Sequence, residues 1–152
     1  MNKPTGTTAP MSPVMNGAVV VFDTSTLVGA CISRDGNPAR ALAWALARQV
    51  VAASAETLAE LKTVLTRPKL EKFRSPDLRM AFYEAYAGAV RLHSVTASTL
   101  DCRDPKDNKF LDLVQQAGAK VLISSDDDLL VLHPWRGAAV LTPLEFLQAL
   151  AV

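Results

Sequence analysis

The chain has 152 residues, 49 per cent of them apolar, and a formal net charge of +1. That is long enough for one domain with a proper core and too apolar for general disorder. Its apolar runs are too short and broken to span a bilayer. With so little net charge there is no global basic field, so any nucleic-acid partner must be held by a local patch.

Residues 1–17, MNKPTGTTAPMSPVMNG, are rich in Pro, Thr, Gly and Ser and read as a flexible tail. Met11 and Met15 offer alternative starts, and residues 18–152 read as one domain. A single lysine and no long apolar stretch near the N-terminus argue against a secretory signal. Cys31 and Cys102 lack metal-type spacing and fit a reducing cytoplasm, with a disulfide between them left open.

Val19 to Phe22 reads as a first strand, followed by a short helix from about Ser25 to Ser33. The stretch SRDGNP is a loop, with Asn37 capping and Pro38 opening a helix through about Gln49. Residues 50–54, VVAAS, form a second strand. Ser54 caps a helix to about Thr66 with Leu58, Leu61 and Leu65 on one face. RPKLEKFRS makes a break or short turn, and Ser75, Pro76 and Asp77 start a helix ending near Arg91. LHSV, residues 92–95, is a weak third strand. DCRDPKDN is a loop feeding a helix that ends at Gly118, and AKVLISS is a clear fourth strand. DDDLLVLHPW is a short helix or turn and AAVLT a fifth strand. Thr142, Pro143 and Glu145 form a capping box for the last helix. Alternation of short buried strands with helices predicts an α/β fold: a three-layer α/β/α sandwich around a mainly parallel sheet of about five strands.

In such a sheet, ligands bind beyond the carboxyl ends of the strands. Asp23 ends the first strand. Asp104 and Asp107 precede the helix after the third, and Asp126, Asp127 and Asp128 follow the fourth. Glu60 lies two turns into the helix after the second strand, near the same edge. Singly, each acid has a plain structural reading. Asp104, Asp107 and Asp126 suit helix N-termini. Glu60 suits a solvent-facing helix position near Lys62 or Glu56. Asp23 resists such a reading, because a carboxylate after a buried strand is costly unless it is hydrogen-bonded, paired or bound to a cation. Together, four acidic positions on one edge repel one another, and a divalent cation between them would relieve that. The remaining donors are the hydroxyls of Thr24 and Ser25 and the amide of Asn108. His93 and His133 fall outside these motifs and read as core or surface residues. All-oxygen donors favour Mg²⁺ or Mn²⁺, one or two ions, over zinc. That points to phosphodiester hydrolysis.

These stretches resemble the PIN-domain family, and in particular its VapC-like toxins of prokaryotic toxin–antitoxin systems. The resemblance covers nearly all of residues 18–148. VVVFDTSTLVGA resembles the family's opening strand and first acid, here Asp23. SAETLAELKTVLTRPKL resembles the second motif, with Glu60 as the matching acid. CRDPKDNKFLDLVQQAGAKVLISSDDDLLVL resembles the family's Asp-Pro-x-Asp, helix, strand and acidic turn, matching Asp107 and Asp126. Asp104 and Asp128 are then accessory, as are Thr24, Ser25 and Asn108. Relatives often carry Gly in place of Ser125 and Lys in place of Asp127. The resemblance implies a cytoplasmic, Mg²⁺- or Mn²⁺-dependent ribonuclease, a cognate antitoxin and a homodimer.

An independent sign of nucleic acid lies between Lys62 and Arg79. Six basic residues (Lys62, Arg67, Lys69, Lys72, Arg74 and Arg79) face two acids, Glu71 and Asp77. Arg67, Lys69, Lys72 and Arg74 are candidate RNA contacts, against the alternative of a solvated face. Phe73, Phe82, Tyr83 and Tyr86 interleave with them as candidate stacking platforms or core residues. Two other functions fit parts of the pattern. One is a haloacid-dehalogenase-type phosphohydrolase with Asp23 as nucleophile, although Ser25 stands where its second Asp belongs. The other is a degenerate PIN module that binds RNA or a partner without cleavage, whose expected sign, a lost acid, is missing.

Overall fold

The computed structural model describes residues 15–150. Most of the expected tail lies outside them. Residues 15–17 form a turn tied to the body, with Gly17 N–H donating to Arg48 O at 2.8 Å and Gln49 Nε2 donating to Met15 O at 3.2 Å.

The element order is β1 (Val19–Phe22), α1 (Thr24–Ile32), α2 (Asn37–Arg48), β2 (Val50–Ala53), α3 (Ala55–Leu65), α4 (Pro76–Ala89), β3 (Arg91–Leu92), α5 (Asn108–Ala117), β4 (Val121–Ile123), α6 (Asp127–Leu130), β5 (Ala139–Leu141) and α7 (Pro143–Leu150). Short 3₁₀ turns at Pro68–Leu70 and Pro105–Asp107 precede α4 and α5. The five strands are all parallel, in the order β3-β2-β1-β4-β5. β1 lies at the centre, with Val20 opposite both Val51 and Val121. The chain builds outward from β1 to β3, then returns to its other side with β4. The strand order therefore reverses between β1 and β4, and in open parallel sheets such a reversal opens a crevice at the carboxyl edge.

Side chains alternate across the pleat, so each strand feeds two cores. Val20, Phe22, Val121 and Ile123 pack with residues of α1, α2, α3, α4 and α7. Val21, Ala52, Leu122 and Val140 pack on the other face with Phe110, Leu111, Leu113 and Val114 of α5 and Leu129 of α6. Helix–sheet–helix layering is thus the α/β/α sandwich expected from the sequence.

The differences are local. Asn37 does not cap α2. Gly36 holds the cap position without a side-chain bond, and Asn37 Oδ1 faces Arg40 Nη1 at 3.5 Å. The third strand is only Arg91–Leu92, both exposed, extended by one bond from His93 N–H to Ala53 O at 2.8 Å. Leu61 and Leu65 are buried, whereas Leu58 is half-buried against the same core. Ser54 caps α3 through Thr57 N–H, and Thr142 and Glu145 form a reciprocal capping box. Gly118 ends α5 at φ 64°, a left-handed conformation that favours glycine. Both cysteines are buried and free. Among the described residues no helix is long and apolar enough to cross a membrane.

Candidate active site at the carboxyl edge of the sheet

β1 delivers Asp23 to the sheet edge in extended conformation, where it becomes the N-cap of α1. The carboxylate is 3 per cent exposed. Its Oδ1 accepts from Thr26 N–H at 2.9 Å, Ser25 Oγ lies 3.1 Å from both oxygens, and Ser124 Oγ donates to Oδ2 at 2.5 Å. Burial pushes its pKa up, and the bonds from Ser124, Thr26 and Ser25 oppose that rise. Ser124 is fully buried just after β4 and also accepts from Asp126 N–H at 2.9 Å. One hydroxyl therefore ties together the acids that follow the two central strands.

Glu60 reaches the edge from α3. Thr24 Oγ1 donates to its Oε1, and Lys109 Nζ lies 3.0 Å from its Oε2. Lys109 also donates to Lys106 O. Asp104 caps the 3₁₀ turn through Lys106 N–H at 3.0 Å, and Asp126 caps α6 through Asp128 N–H at 2.9 Å. For those two the capping reading holds.

Asp107 differs. It occupies the N-cap position of α5, yet its side chain makes no capping bond. Its Oδ2 is buried without a hydrogen-bond partner. Burial, then Asp126, then the charges of Asp104 and Asp23 push its pKa up to about 7. A carboxyl buried among other acids in this way is one whose ionised form a bound cation would stabilise.

A cleft of about 570 Å³ joins Asp23, Thr24, Ser25, Glu60, Asp104, Asp107 and Asp126. Val28, Val64, Leu70 and Phe110 supply apolar wall, and Arg67, Lys69 and Lys106 supply positive charge. Lys72, Arg74, Asn108 and Asp128 do not line it. Lys72 Nζ lies 5.1 Å from the Phe73 ring centroid, and Arg74 Nη1 donates to Cys31 O at 2.9 Å. Asn108 Oδ1 accepts from Cys102 N–H at 2.9 Å and so shapes the loop before α5. Asp128 pairs with Arg103 at 3.4 Å. Of the aromatics, Tyr86 is core, Phe82 and Tyr83 pack partly buried against it, and Phe73 is exposed. His133 Nδ1 accepts from Val140 N–H at 2.8 Å, away from the cleft.

Sequence reasoning missed Ser124, Lys109 and Lys106. Ser124 carried a signal, a buried-strand hydroxyl directly before the acidic turn. The lysines carried none, because only the packing of α5 against α3 shows where Lys109 points.

The donor set fits a hard divalent cation in its chemistry, all oxygen with an unpartnered buried carboxylate atom. Among the described residues, no three His, Cys, Asp or Glu side chains form a group that could hold an ion.

Fold and cleft together define an α/β/α protein with an acidic site at the switch point of a parallel sheet. The chain belongs to the PIN-domain family, whose model, described as PIN domain, matches residues 19–128. It is 28 per cent identical over 116 residues to an uncharacterized protein of Methanocaldococcus jannaschii, covering 75 per cent of this chain and 74 per cent of the relative. In fold it is similar to VapBC2 from Rickettsia felis, solved bound to a DNA fragment from its promoter (TM-score 0.57, 11 per cent identity, 80 per cent of this chain and 96 per cent of that one). It is also similar to Mycobacterium tuberculosis VapC20, described as a Sarcin-Ricin loop cleaving toxin (TM-score 0.52, 16 per cent identity, 79 and 98 per cent covered).

Proposed function

We propose that the chain is a cytoplasmic Mg²⁺- or Mn²⁺-dependent endoribonuclease, the toxin of a toxin–antitoxin pair, acting as a homodimer and restrained by a cognate antitoxin. Family membership and likeness in fold to VapC proteins support this reading. The observation that carries it is Asp107, an N-cap acid that caps nothing and leaves a buried oxygen unpartnered among other carboxylates.

Asp23, Asp107 and Asp126, with Glu60, would hold one or two ions, partly through water. When bound, such an ion polarises the scissile phosphate and makes a water acidic enough to attack it. The chain's own residues prepare that chemistry. Ser124, Ser25 and Thr26 N–H bond the Asp23 carboxylate and oppose the rise in pKa that its burial causes. Thr24 and Lys109 fix both oxygens of Glu60. Arg67, Lys69 and Lys106 offset phosphate charge on the cleft wall.

The test is RNA cleavage by wild type with and without Mg²⁺ or Mn²⁺, beside Asp107→Asn. Metal-dependent cleavage lost in the variant is the expected result. RNA binding without cleavage would establish the degenerate module instead, and an acyl phosphate trapped on Asp23 the phosphohydrolase.

A further inference from the structure

The segment between α3 and α4, residues 66–75, carries four of the six basic residues of the local patch. Only Arg67 and Lys69 of these line the acidic cleft. What holds this segment is another arginine. Arg79, in the first turns of α4, is 2 per cent exposed and is among the largest fully buried side chains. Its Nε donates to Arg74 O at 3.0 Å, and its Nη1 donates to Arg67 O at 3.2 Å and to Leu65 O. One guanidinium thus joins both ends of the segment to the last carbonyl of α3. That helix end has unpaired carbonyls and favours positive charge. From the other side Arg74 ties the segment to Cys31 O at the end of α1, and Leu70 is buried in the core beneath it.

Arg79 forms no salt bridge among those found for the described residues. Burying a guanidinium without a counter-charge is costly, and an apolar side chain of similar size would pack without that cost. The planar fork does what an apolar side chain cannot, which is to hold three carbonyls from separated positions at once.

We infer that Arg79 is a positioning residue for RNA: it holds the 66–75 segment in one conformation so that Arg67 and Lys69 face the acidic cleft as phosphate contacts. This rests on the ribonuclease reading and deepens it. Substrate affinity is then set by a residue that never meets the substrate, and the segment's carbonyls are turned inward so that two of its cations can face the cleft.

The test compares wild type with Arg79→Met, Arg79→Lys, the Arg67→Gln/Lys69→Gln pair and that pair combined with Arg79→Met. Three readouts are needed. Limited trypsin digestion reports opening of the segment directly, because Lys69, Lys72 and Arg74 are cleavage sites, whereas Arg67 precedes Pro68 and is not cut. KM and kcat are measured on labelled single-stranded RNA of mixed sequence with Mg²⁺. Affinity for the same RNA is measured against salt in an Asp107→Asn background, which keeps the RNA intact.

Arg79→Met is expected to admit trypsin between residues 69 and 74 and to raise KM far more than it lowers kcat. The slope of log affinity against log salt should become shallower by roughly 1.4, at about 0.7 for each single-strand phosphate that is no longer neutralised. Adding it to the Arg67→Gln/Lys69→Gln pair should cost no further affinity, and Arg79→Lys should fall between. If Arg79→Met does not fold, Arg79→Lys and Arg74→Met loosen the same segment and carry the same expectations. An opened segment with wild-type RNA affinity and salt slope would overturn the inference, as would losses fully additive to those of the pair. Failure of the ribonuclease reading shows separately, as a wild type that does not cleave RNA.

Discussion

Lys109 Nζ on α5 lies 3.0 Å from Glu60 Oε2 on α3, while Thr24 on α1 holds the other oxygen of the same carboxylate. Three helices thus fix one acid over the cleft. Glu60 has a long, flexible side chain and stands beside other carboxylates that repel it, so on its own it would turn towards solvent. Lys109→Met is expected to lower cleavage to the level of Glu60→Gln, and the double variant should fall no further. The pair is partly exposed, so stability should change by about 1 kcal/mol or less. Non-additivity in kcat, with rescue by Lys109→Arg, is the measurement. Fully additive losses would mean that Lys109 acts elsewhere.

Asp107 predicts a pH dependence with a definite sign. Its pKa in the folded chain is about 7, against 3.8 for the free group, raised first by burial and then by Asp126. Between about pH 4 and pH 7 the unfolded chain has therefore lost a proton that the folded chain keeps. Stability from this group falls as pH rises through that window and levels off above it. Thermal melts of the metal-free protein should show the fall, and Asp107→Asn should remove this component. Mg²⁺ competes with that proton, so the melting-temperature rise it produces should be larger at pH 8 than at pH 6. An equal rise at both pH values would separate Asp107 from the metal.

The sheet was legible because its signals are local. Short apolar runs mark the strands, and Ser54, Ser75 and Thr142 announce the helices they cap. Convergence of the acids was legible because a parallel sheet sends every strand end to one edge. Which acid merely caps a helix was not. Asp104, Asp107 and Asp126 look alike in sequence, and only the placement of neighbouring N–H groups leaves Asp107 uncapped. The basic stretch was legible only in part, for a related reason. Charge counts do not say which way a side chain turns, and Arg74 and Arg79 turn inward to carbonyls.

Ser124 makes a further case. It is fully buried, donates to Asp23 Oδ2 and accepts from Asp126 N–H. Ser124→Ala removes the acceptor of Asp126 N–H and the shorter of the two bonds to Asp23 Oδ2, leaving only Ser25 Oγ at 3.1 Å on that oxygen. The expected loss is about 1–3 kcal/mol, the usual cost of leaving a buried polar group unsatisfied. Chemical denaturation measures this. Because Asp23 would also lose an opponent of its raised pKa, the cleavage–pH profile should shift towards higher pH. Unchanged stability and an unchanged profile would show that the hydroxyl is dispensable.

Asp23→Asn separates charge from packing. The amide has nearly the volume of the carboxylate and keeps an acceptor for Thr26 N–H, so the cap of α1 survives. Ser124 Oγ can accept from the new amide N–H in place of donating. What is lost is a charge that burial disfavours. In metal-free buffer the variant should therefore melt at or above the wild-type temperature, while RNA cleavage with Mg²⁺ disappears. The stabilisation wild type gains from Mg²⁺ should shrink with it, because an amide is a weaker ligand for a hard cation than a carboxylate. Melting curves of both proteins, with and without millimolar Mg²⁺, test the two halves together. A variant that unfolds early would make Asp23 a structural residue, and one that cleaves at the wild-type rate would remove it from the site.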